Sequence, residues 1–238
     1  MNAIDSITGQ SNVIGVALLL GITVVSMGTL TAAVGVLVDA NAAQADAERV
    51  ASDFDRTFNP VTASGSGQGS VTFGEGTLRT VDRTIEVRTD GAMVHRIETD
   101  ALVFESNDRR VAYHAGAIVR GERGWAWMDS EPPITVDDDL IILGIPRLGT
   151  ETEGFAGGGG VTATIETDVE HERYDLGESV VSFAVETETP GAWERYLRHS
   201  GARVERGAGG QTVVATFEGD RTGYLVVHDL NAEVKSGV

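Results

Sequence analysis

The chain has 238 residues, with 36 acidic and 18 basic side chains, no cysteine and a net charge of −18. This length is enough for a sizeable hydrophobic core in one or two domains. The acidic excess argues against nucleic acid as a partner, because phosphates attract lysine and arginine. The lack of cysteine excludes disulfide scaffolds, thiol nucleophiles and thiolate zinc sites.

The basic residues are themselves unevenly distributed, since Lys235 is the only lysine and all the others are arginine. Acid excess together with lysine depletion favours a halophilic protein that stays hydrated in molar salt, where the screening length is about 3 Å. An ordinary acidic protein from a GC-rich genome is the alternative interpretation, and the composition leaves both open.

The longest apolar run covers residues 13–38, which include no charged residue. As a helix these residues would extend about 39 Å, more than the hydrocarbon core of a bilayer at about 30 Å. The run is too long for the core of a secretory signal peptide, and the first basic residue, Arg49, comes after it. It predicts a retained transmembrane helix.

Four glycines recur along this run at spacings of six, seven and seven residues: Gly15, Gly21, Gly28 and Gly35. They are predicted to lie near one face of the helix, where small residues allow a second helix to approach closely. This would make them a helix–helix assembly face. Membrane helices are rich in glycine in general, so the pattern leaves ordinary composition open as well.

The helical pattern continues beyond the membrane run and is predicted to end before Pro60, which restricts the residue preceding it. Asp46 and Asp53 fall on other faces than the apolar residues. This segment is therefore an amphipathic stalk, and its apolar residues are predicted to pack against a head: Val50, Phe54 and Phe58.

The remaining sequence is typical of a β-rich head. Residues 63–69 are rich in glycine and serine and predict a flexible linker, and the glycines at 157–160 predict a loop. Short alternating runs between them predict antiparallel strands, with the clearest hairpin turn at Asp90-Gly91. One short helix is predicted between Thr189, a candidate N-cap, and Gly201. The expected fold class is α+β, a long N-terminal transmembrane and stalk helix followed by an antiparallel β-rich head with one short helix.

The sequence contains no His-Glu-x-x-His zinc motif, no Gly-x-Ser-x-Gly nucleophile elbow, no Walker loop and no dinucleotide-binding fingerprint. His171 and Asp175 lie four residues apart and weakly suggest a metal site, although a solvated surface is the preferred interpretation. Trp125 and Trp127 share one face of a predicted strand, either as a contact patch or as core. We therefore expect neither an enzyme nor a cofactor or metal site.

The order of a short polar leader, a long apolar helix, a stalk and a β-rich head resembles archaeal type IV pilins and archaellins, most closely the pilin-like proteins of haloarchaea. Several local sequences carry this resemblance: Gly9-Gln10-Ser11-Asn12-Val13-Ile14-Gly15, Leu18-Leu19-Leu20-Gly21-Ile22-Thr23, Val103-Phe104-Glu105-Ser106-Asn107-Asp108 and Gly191-Ala192-Trp193-Glu194-Arg195-Tyr196.

The resemblance implies a class III signal peptide, cut by a prepilin peptidase after a small residue that precedes the apolar helix. Here the candidate processing site is Gly9, which would leave Gln10 at the mature N-terminus. The implied organisation is a leader at 1–9, a transmembrane and stalk helix at 10–59, and an extracellular head at 60–238. Ile7-Thr8 stands where the class usually carries lysine or arginine.

The function that follows is that of a pilin-like subunit, a minor pilin or pseudopilin, in a surface filament assembled through the N-terminal helix. Its implied partners are other pilin subunits, the prepilin peptidase, an assembly ATPase, a platform protein and the membrane. The cell membrane is the expected location, with the head outside and the subunit in a surface filament after assembly. The alternative is a membrane-anchored extracellular adhesin or binding module that does not assemble.

Overall fold

The computed structural model describes residues 8–58, 63–122, 124–149 and 155–236. Two compact units share the chain, one up to Ala42 and the other from Ala43 onward. Residues 1–7, which include most of the predicted leader, lie outside the described part. The expected α+β architecture is confirmed: a long N-terminal helix precedes a mostly antiparallel sheet and one short helix.

Helix α1 extends from Thr8 to Phe58 without interruption. It begins a few residues earlier than the sequence pattern indicates and ends at the residue expected, just before Asn59-Pro60. Among the described residues, the stretch from Gly15 to Phe58 is the one helix long and apolar enough to cross a membrane. By length and composition alone, such a helix near an N-terminus fits either a single-pass anchor or a signal sequence.

The second unit contains the strands and the short helix α2, Pro190–His199. The strands follow in chain order: β1 Gly65–Thr89, β2 Ala92–Ser106, β3 Arg109–His114, β4 Ala117–Glu122, β5 Trp125–Ser130, β6 Ile134–Val136, β7 Leu140–Arg147, β8 Phe155–Glu186, β9 Arg203–Arg206, β10 Thr212–Asp229 and β11 Glu233–Ser236. They form one sheet in the order β5-β4-β3-β2-β1-β8-β10-β7-β6, with β11 paired to β8 and β9 paired to β10.

One strand pair differs from the antiparallel expectation. β7 and β10 run parallel, with Leu140 opposite Thr222 and Arg147 opposite Asp229. The apolar run that forms β7 is buried at most of its positions, and such a run has the same pattern whichever way its neighbour runs. The direction of this pair was therefore not readable from the sequence.

The predicted linker and the predicted glycine loop are both wrong, because these segments belong to long strands. Gly65 to Gly69 form the start of β1, with Gly65 opposite Val169 of β8, and Gly157 lies opposite Gly76. A Cβ added to Gly69 would overlap the side chain of Thr57 at the end of α1. Glycine there permits close approach between strand and helix, which in the sequence looks the same as a flexible linker.

The sheet carries two main apolar clusters in the second unit. One surrounds α2, where Trp193 and Leu197 are fully buried against the sheet. Thr189 precedes α2, but its side chain makes no capping hydrogen bond; instead its hydroxyl lies 3.3 Å from that of Thr187. The other cluster contains the last turns of α1 together with residues of β1, β2, β3 and β8.

The short strand β11 holds the chain's single lysine. Lys235 Nζ lies 2.6 Å from Glu166 Oε2 on β8 and 2.8 Å from Glu233 Oε2 on its own strand. Its side chain is about half exposed, so these ion pairs contribute little to stability. They nevertheless place the amine between two carboxylates at the surface.

Candidate functional site

The exposed part of α1 is the first candidate site. Every side chain from Gly15 to Ala42 is exposed in the single chain, including large apolar residues such as Leu19 and Met27. An ordinary soluble protein does not leave so long an apolar stretch uncovered. Such a stretch is typical of a helix that lipid or another protein surface covers, and a signal sequence has the same character.

The four glycines of this stretch do not all share a face. The helix turns about 100° per residue, so a seven-residue spacing shifts a position by only about 20°, whereas a six-residue spacing shifts it by about 120°. Gly21, Gly28 and Gly35 consequently lie within about 40° of one another, and Gly15 lies on a different face. We call the first three the glycine face.

The glycine face offers open space. A Cβ added to Gly21, Gly28 or Gly35 would meet no atom within 4 Å outside the helix's own backbone. The helix surface around Gly21 forms a shallow apolar notch, whose lining residues are Ala17, Leu18, Gly21, Ile22, Val25 and Ser26. A neighbouring helix could therefore approach the backbone here without displacing a side chain.

Three threonine hydroxyls of this stretch, those of Thr23, Thr29 and Thr31, are satisfied within the helix. Thr23 donates to the Leu19 carbonyl, and Thr31 Oγ1 donates to the Met27 carbonyl at 2.9 Å. Thr29 has the Val25 and Ser26 carbonyls as acceptors at 3.1 and 3.0 Å. These bonds remove the cost of placing a hydroxyl donor in hydrocarbon.

The candidate processing site lies at the start of α1. Gly9 and Gln10 follow Thr8, the first residue of the helix, so both have helical backbone. The structure describes the backbone at this point but not the residues before Thr8. Cleavage between Gly9 and Gln10 remains a prediction.

The last turns of α1 are held in the second apolar cluster. Val50, Phe54 and Phe58 are all buried there. The ring of Phe58 stacks on Tyr113 of β3 with a centroid distance of 4.2 Å, and Phe54 lies 6.0 Å from Phe58. The apolar residues of the stalk are thus part of the hydrophobic core of the head.

Two acidic residues of the stalk make an unexpected contact with β1. Asp53 Oδ2 accepts the backbone N–H of Thr72 at 3.1 Å, and Asp46 Oδ2 accepts those of Gly74 and Glu75 at 2.9 and 3.2 Å. Both carboxylates are buried. The sequence pattern placed them away from the apolar face, but here each carboxylate accepts backbone N–H groups of β1. The Asp46 contact falls at Gly74, where the pairing of β1 with β8 is interrupted.

Comparison with known proteins places this architecture in a family. Residues 8–233 match the model of the family of unknown function DUF7289. The chain belongs to this family. The match includes both the exposed helix and the head. No curated protein and no solved structure matches the chain.

In this DUF7289 member the paired tryptophans lie on β5, the strand at one end of the sheet order. Trp125 is 58% exposed and Trp127 is partly buried, with ring centroids 5.0 Å apart. The guanidinium of Arg120 lies 5.2 Å from the centre of the Trp127 ring. The exposure of Trp125 fits the interpretation as a contact residue, whereas Trp127 packs against its neighbours and fits the core interpretation better.

The suggested pairing of His171 with Asp175 is not supported. Both lie on β8, where residues four apart are separated by about 13 Å along the strand. Asp175 Oδ1 instead accepts the backbone N–H of Gly177 at 2.9 Å. His171 faces His228 of β10, with Nδ1 atoms 2.9 Å apart. Among the described residues no group of three or more histidine, aspartate or glutamate side chains is placed to hold a metal.

One further histidine is deeply buried. His114 lies at the end of β3, where its Nε2 is 3.0 Å from Thr99 Oγ1 and its ring meets the edge of Trp193. Burial, followed by the positive charge of Arg83, lowers the pKa of His114 to about 3. It is therefore neutral in the folded protein at ordinary pH, and sequence inspection gave no sign of this.

Proposed function

We propose that this protein is a pilin-like subunit, a minor pilin or pseudopilin, of a type IV pilus-like surface filament of archaea. In this proposal α1 anchors the subunit in the membrane, the glycine face packs against neighbouring α1 helices during assembly, and the head is displayed outside. The role is structural, without a catalytic site.

One observation carries the proposal, the contrast between the two parts of α1. From Gly15 to Ala42 every side chain is exposed, whereas Val50, Phe54 and Phe58 are buried in the head. The exposed part is apolar and has a face from which side chains are missing. Lipid would cover such a helix in the membrane, and copies of the same helix would cover it in a filament.

The partners of this proposal follow from the resemblance to archaeal pilins. A prepilin peptidase would cut between Gly9 and Gln10, and an assembly ATPase with a platform protein would drive incorporation. The head, residues 60–238, is large. A large head is harder to accommodate in the densely repeated lattice of a major pilin, which supports a minor subunit.

The test changes the glycine face alone. The variant Gly21→Leu with Gly28→Leu fills the face, and the control Gly15→Leu with Thr23→Leu adds the same side chains on other faces of α1. Leucine is favourable in the bilayer, so both variants should insert normally. We expect the glycine-face variant to be lost from sheared filaments, while the control is incorporated.

Equal incorporation of the two variants would contradict the proposal. Mass spectrometry of the wild-type protein in membranes gives a second measurement, with Gln10 expected as the first residue. An intact Met1, or a mature chain that starts beyond Val38, would count against a prepilin-type leader.

A second function is favoured by one specific feature, the exposed Trp125 on the terminal strand β5. An anchored adhesin or binding module would use such a residue for contact without any assembly through α1. In that case both double variants would remain at the cell surface, and neither would be found in sheared filaments.

A further inference from the structure

The one close pair of histidines in the described residues joins two strands of the sheet. His171 on β8 and His228 on β10 are direct cross-strand partners, and their Nδ1 atoms are 2.9 Å apart. Their rings are nearly perpendicular, with centroids 4.9 Å apart. Because two N–H groups cannot point at each other at this distance, one ring donates a hydrogen bond and the other accepts it.

A metal ion could replace this hydrogen bond if both rings turned their Nδ1 lone pairs toward a point about 1.4 Å off the line between the nitrogens. Imidazole nitrogens bind first-row transition metals at about 2.0–2.1 Å. The two Nδ1 atoms are 2.9 Å apart. If both bound one ion at about 2.0–2.1 Å, the nitrogen–metal–nitrogen angle would be about 90°. A tetrahedral ion would need a separation of about 3.3 Å, so adjacent positions of a square-planar or tetragonal site require the smaller movement of the two rings.

The pair is accessible from one side. His171 is exposed, and His228 is buried beneath it. Among the described residues, no strand pairs with β8 opposite His171 on the side away from β10. The His171 side of the pair is therefore the side from which an ion would approach.

The charges nearby are of both signs. Glu170 and Glu172 flank His171 along β8 and Asp229 follows His228, so these three carboxylates lie on the opposite face of the sheet from the two histidines. Arg173, two residues after His171, lies on the same face as His171. Two of these carboxylates are already engaged, since Asp229 is paired with Arg147 and Glu172 accepts a hydrogen bond from the Tyr174 hydroxyl at 2.6 Å. Recruitment by carboxylates is therefore not part of this site, and selection among cations depends on the two imidazole nitrogens, which suit transition metals.

We propose that His171 and His228 form a two-nitrogen site for a divalent transition metal of tetragonal preference, Cu²⁺ or Ni²⁺, with Cu²⁺ bound more tightly. The metal takes one lone pair from each Nδ1, and the proton of the hydrogen bond moves through solvent to Nε2 of the ring that donated it. Water fills the remaining positions. The site is independent of filament assembly.

The test uses the full chain in detergent, titrated with Cu²⁺ in the presence of excess Mg²⁺ to occupy surface carboxylates. Electron paramagnetic resonance should show one copper per chain with coupling to two nitrogens. In His171→Ala or His171→Gln, the affinity for Cu²⁺ should fall at least about tenfold. Loss of a residue that only hydrogen-bonds to a metal ligand already lowers metal affinity about 10–100-fold, and His171 would itself be a ligand. His199→Ala, an exposed histidine on α2, is the matched control and should bind as the wild type does.

Two results would overturn the proposal. One is a spectrum of the wild-type protein in which copper is coordinated by oxygen ligands only. This result can be interpreted without any variant. The other is an unchanged affinity and unchanged nitrogen coupling in both His171 variants, with their folding confirmed by circular dichroism.

Discussion

Asp46 Oδ2 lies 2.9 Å from the backbone nitrogen of Gly74, so a helix carboxylate completes the hydrogen bonding of a strand. The same oxygen accepts the neighbouring N–H of Glu75. A Cβ added to Gly74 would come within 3.0 Å of this oxygen, so the strand can approach the carboxylate only where the side chain is absent. Stalk and head are thus joined by a polar contact as well as by apolar packing.

The first prediction concerns this contact. Asp46→Ala removes the charged acceptor of two N–H groups, those of the half-buried Gly74 and the exposed Glu75, and the free energy of unfolding should fall by about 1–3 kcal/mol. Asp46→Asn keeps one acceptor oxygen and should lose less. Chemical denaturation of the full chain in detergent measures both, and Ser52→Ala, an exposed position on the same helix, is the control. Equal stability of Asp46→Ala and the control would contradict the assigned contact.

The second prediction separates a strand from a flexible linker at residues 65–69. In a linker, Gly69→Ala would be neutral or slightly stabilising. Because an added Cβ would overlap Thr57, overpacking should instead destabilise the protein by about 1–3 kcal/mol. Gln68→Ala, at the exposed neighbouring position, should have little effect. Thermal unfolding of the two variants side by side distinguishes the alternatives.

The third prediction concerns pH. Folded His114 has a pKa of about 3, whereas in the unfolded chain a histidine titrates near its ordinary value of 6.5. Below that value the unfolded state binds a proton that the folded state does not, so stability is fully present above about pH 6.5 and falls as the pH is lowered. The slope approaches about 1.4 kcal/mol per pH unit.

A variant identifies the group responsible. In His114→Gln, the unfolding free energy should change less between about pH 7 and about pH 5 than in the wild type. Glu188 does not interfere in this range. Its burial favours a higher pKa, but the charges of Arg110, Arg83 and Arg79 and the Arg110 hydrogen bond outweigh it and hold the pKa below the ordinary value. Identical slopes for the two proteins would assign the pH dependence to other groups.

The fourth prediction concerns the unit that folds by itself. Because Val50, Phe54 and Phe58 are buried in the second apolar cluster, a fragment that starts at Ala43 should unfold cooperatively, whereas one that starts at Ala63 should not. Both fragments carry an acidic excess. Molar KCl should therefore raise the thermal unfolding midpoint of the longer fragment, because salt screens the repulsion between its carboxylates. Cooperative unfolding of the shorter fragment would show that the stalk is dispensable.

Local patterns were enough to predict α1, its end at Phe58, the hairpin at Asp90-Gly91 and the position of α2. Each depends on residues close together in sequence, such as the proline after α1 and the turn residues of the hairpin. At that turn Asp90 and Gly91 both have positive φ, as this type of hairpin requires.

Contacts between distant segments could not be predicted. Asp46 and Asp53 look like solvent-facing residues of an amphipathic helix, and only the packing of α1 against β1 gives their carboxylates backbone N–H partners. His171 and His228 are 57 residues apart and meet because β8 and β10 pair in one particular register. A shift of that register by one residue would place the two rings on opposite faces of the sheet.

The single lysine has a practical consequence for chemical labelling. Amine-reactive dyes would modify only Lys235 and the chain's N-terminus, which gives a nearly unique attachment point on β11. Hydrogen bonds to Glu166 and Glu233 raise the pKa of the Lys235 amine, so acylation should be slow and should need alkaline buffer. A thiol-reactive dye would be easier to place, since any cysteine introduced on the head would be the only one in the molecule.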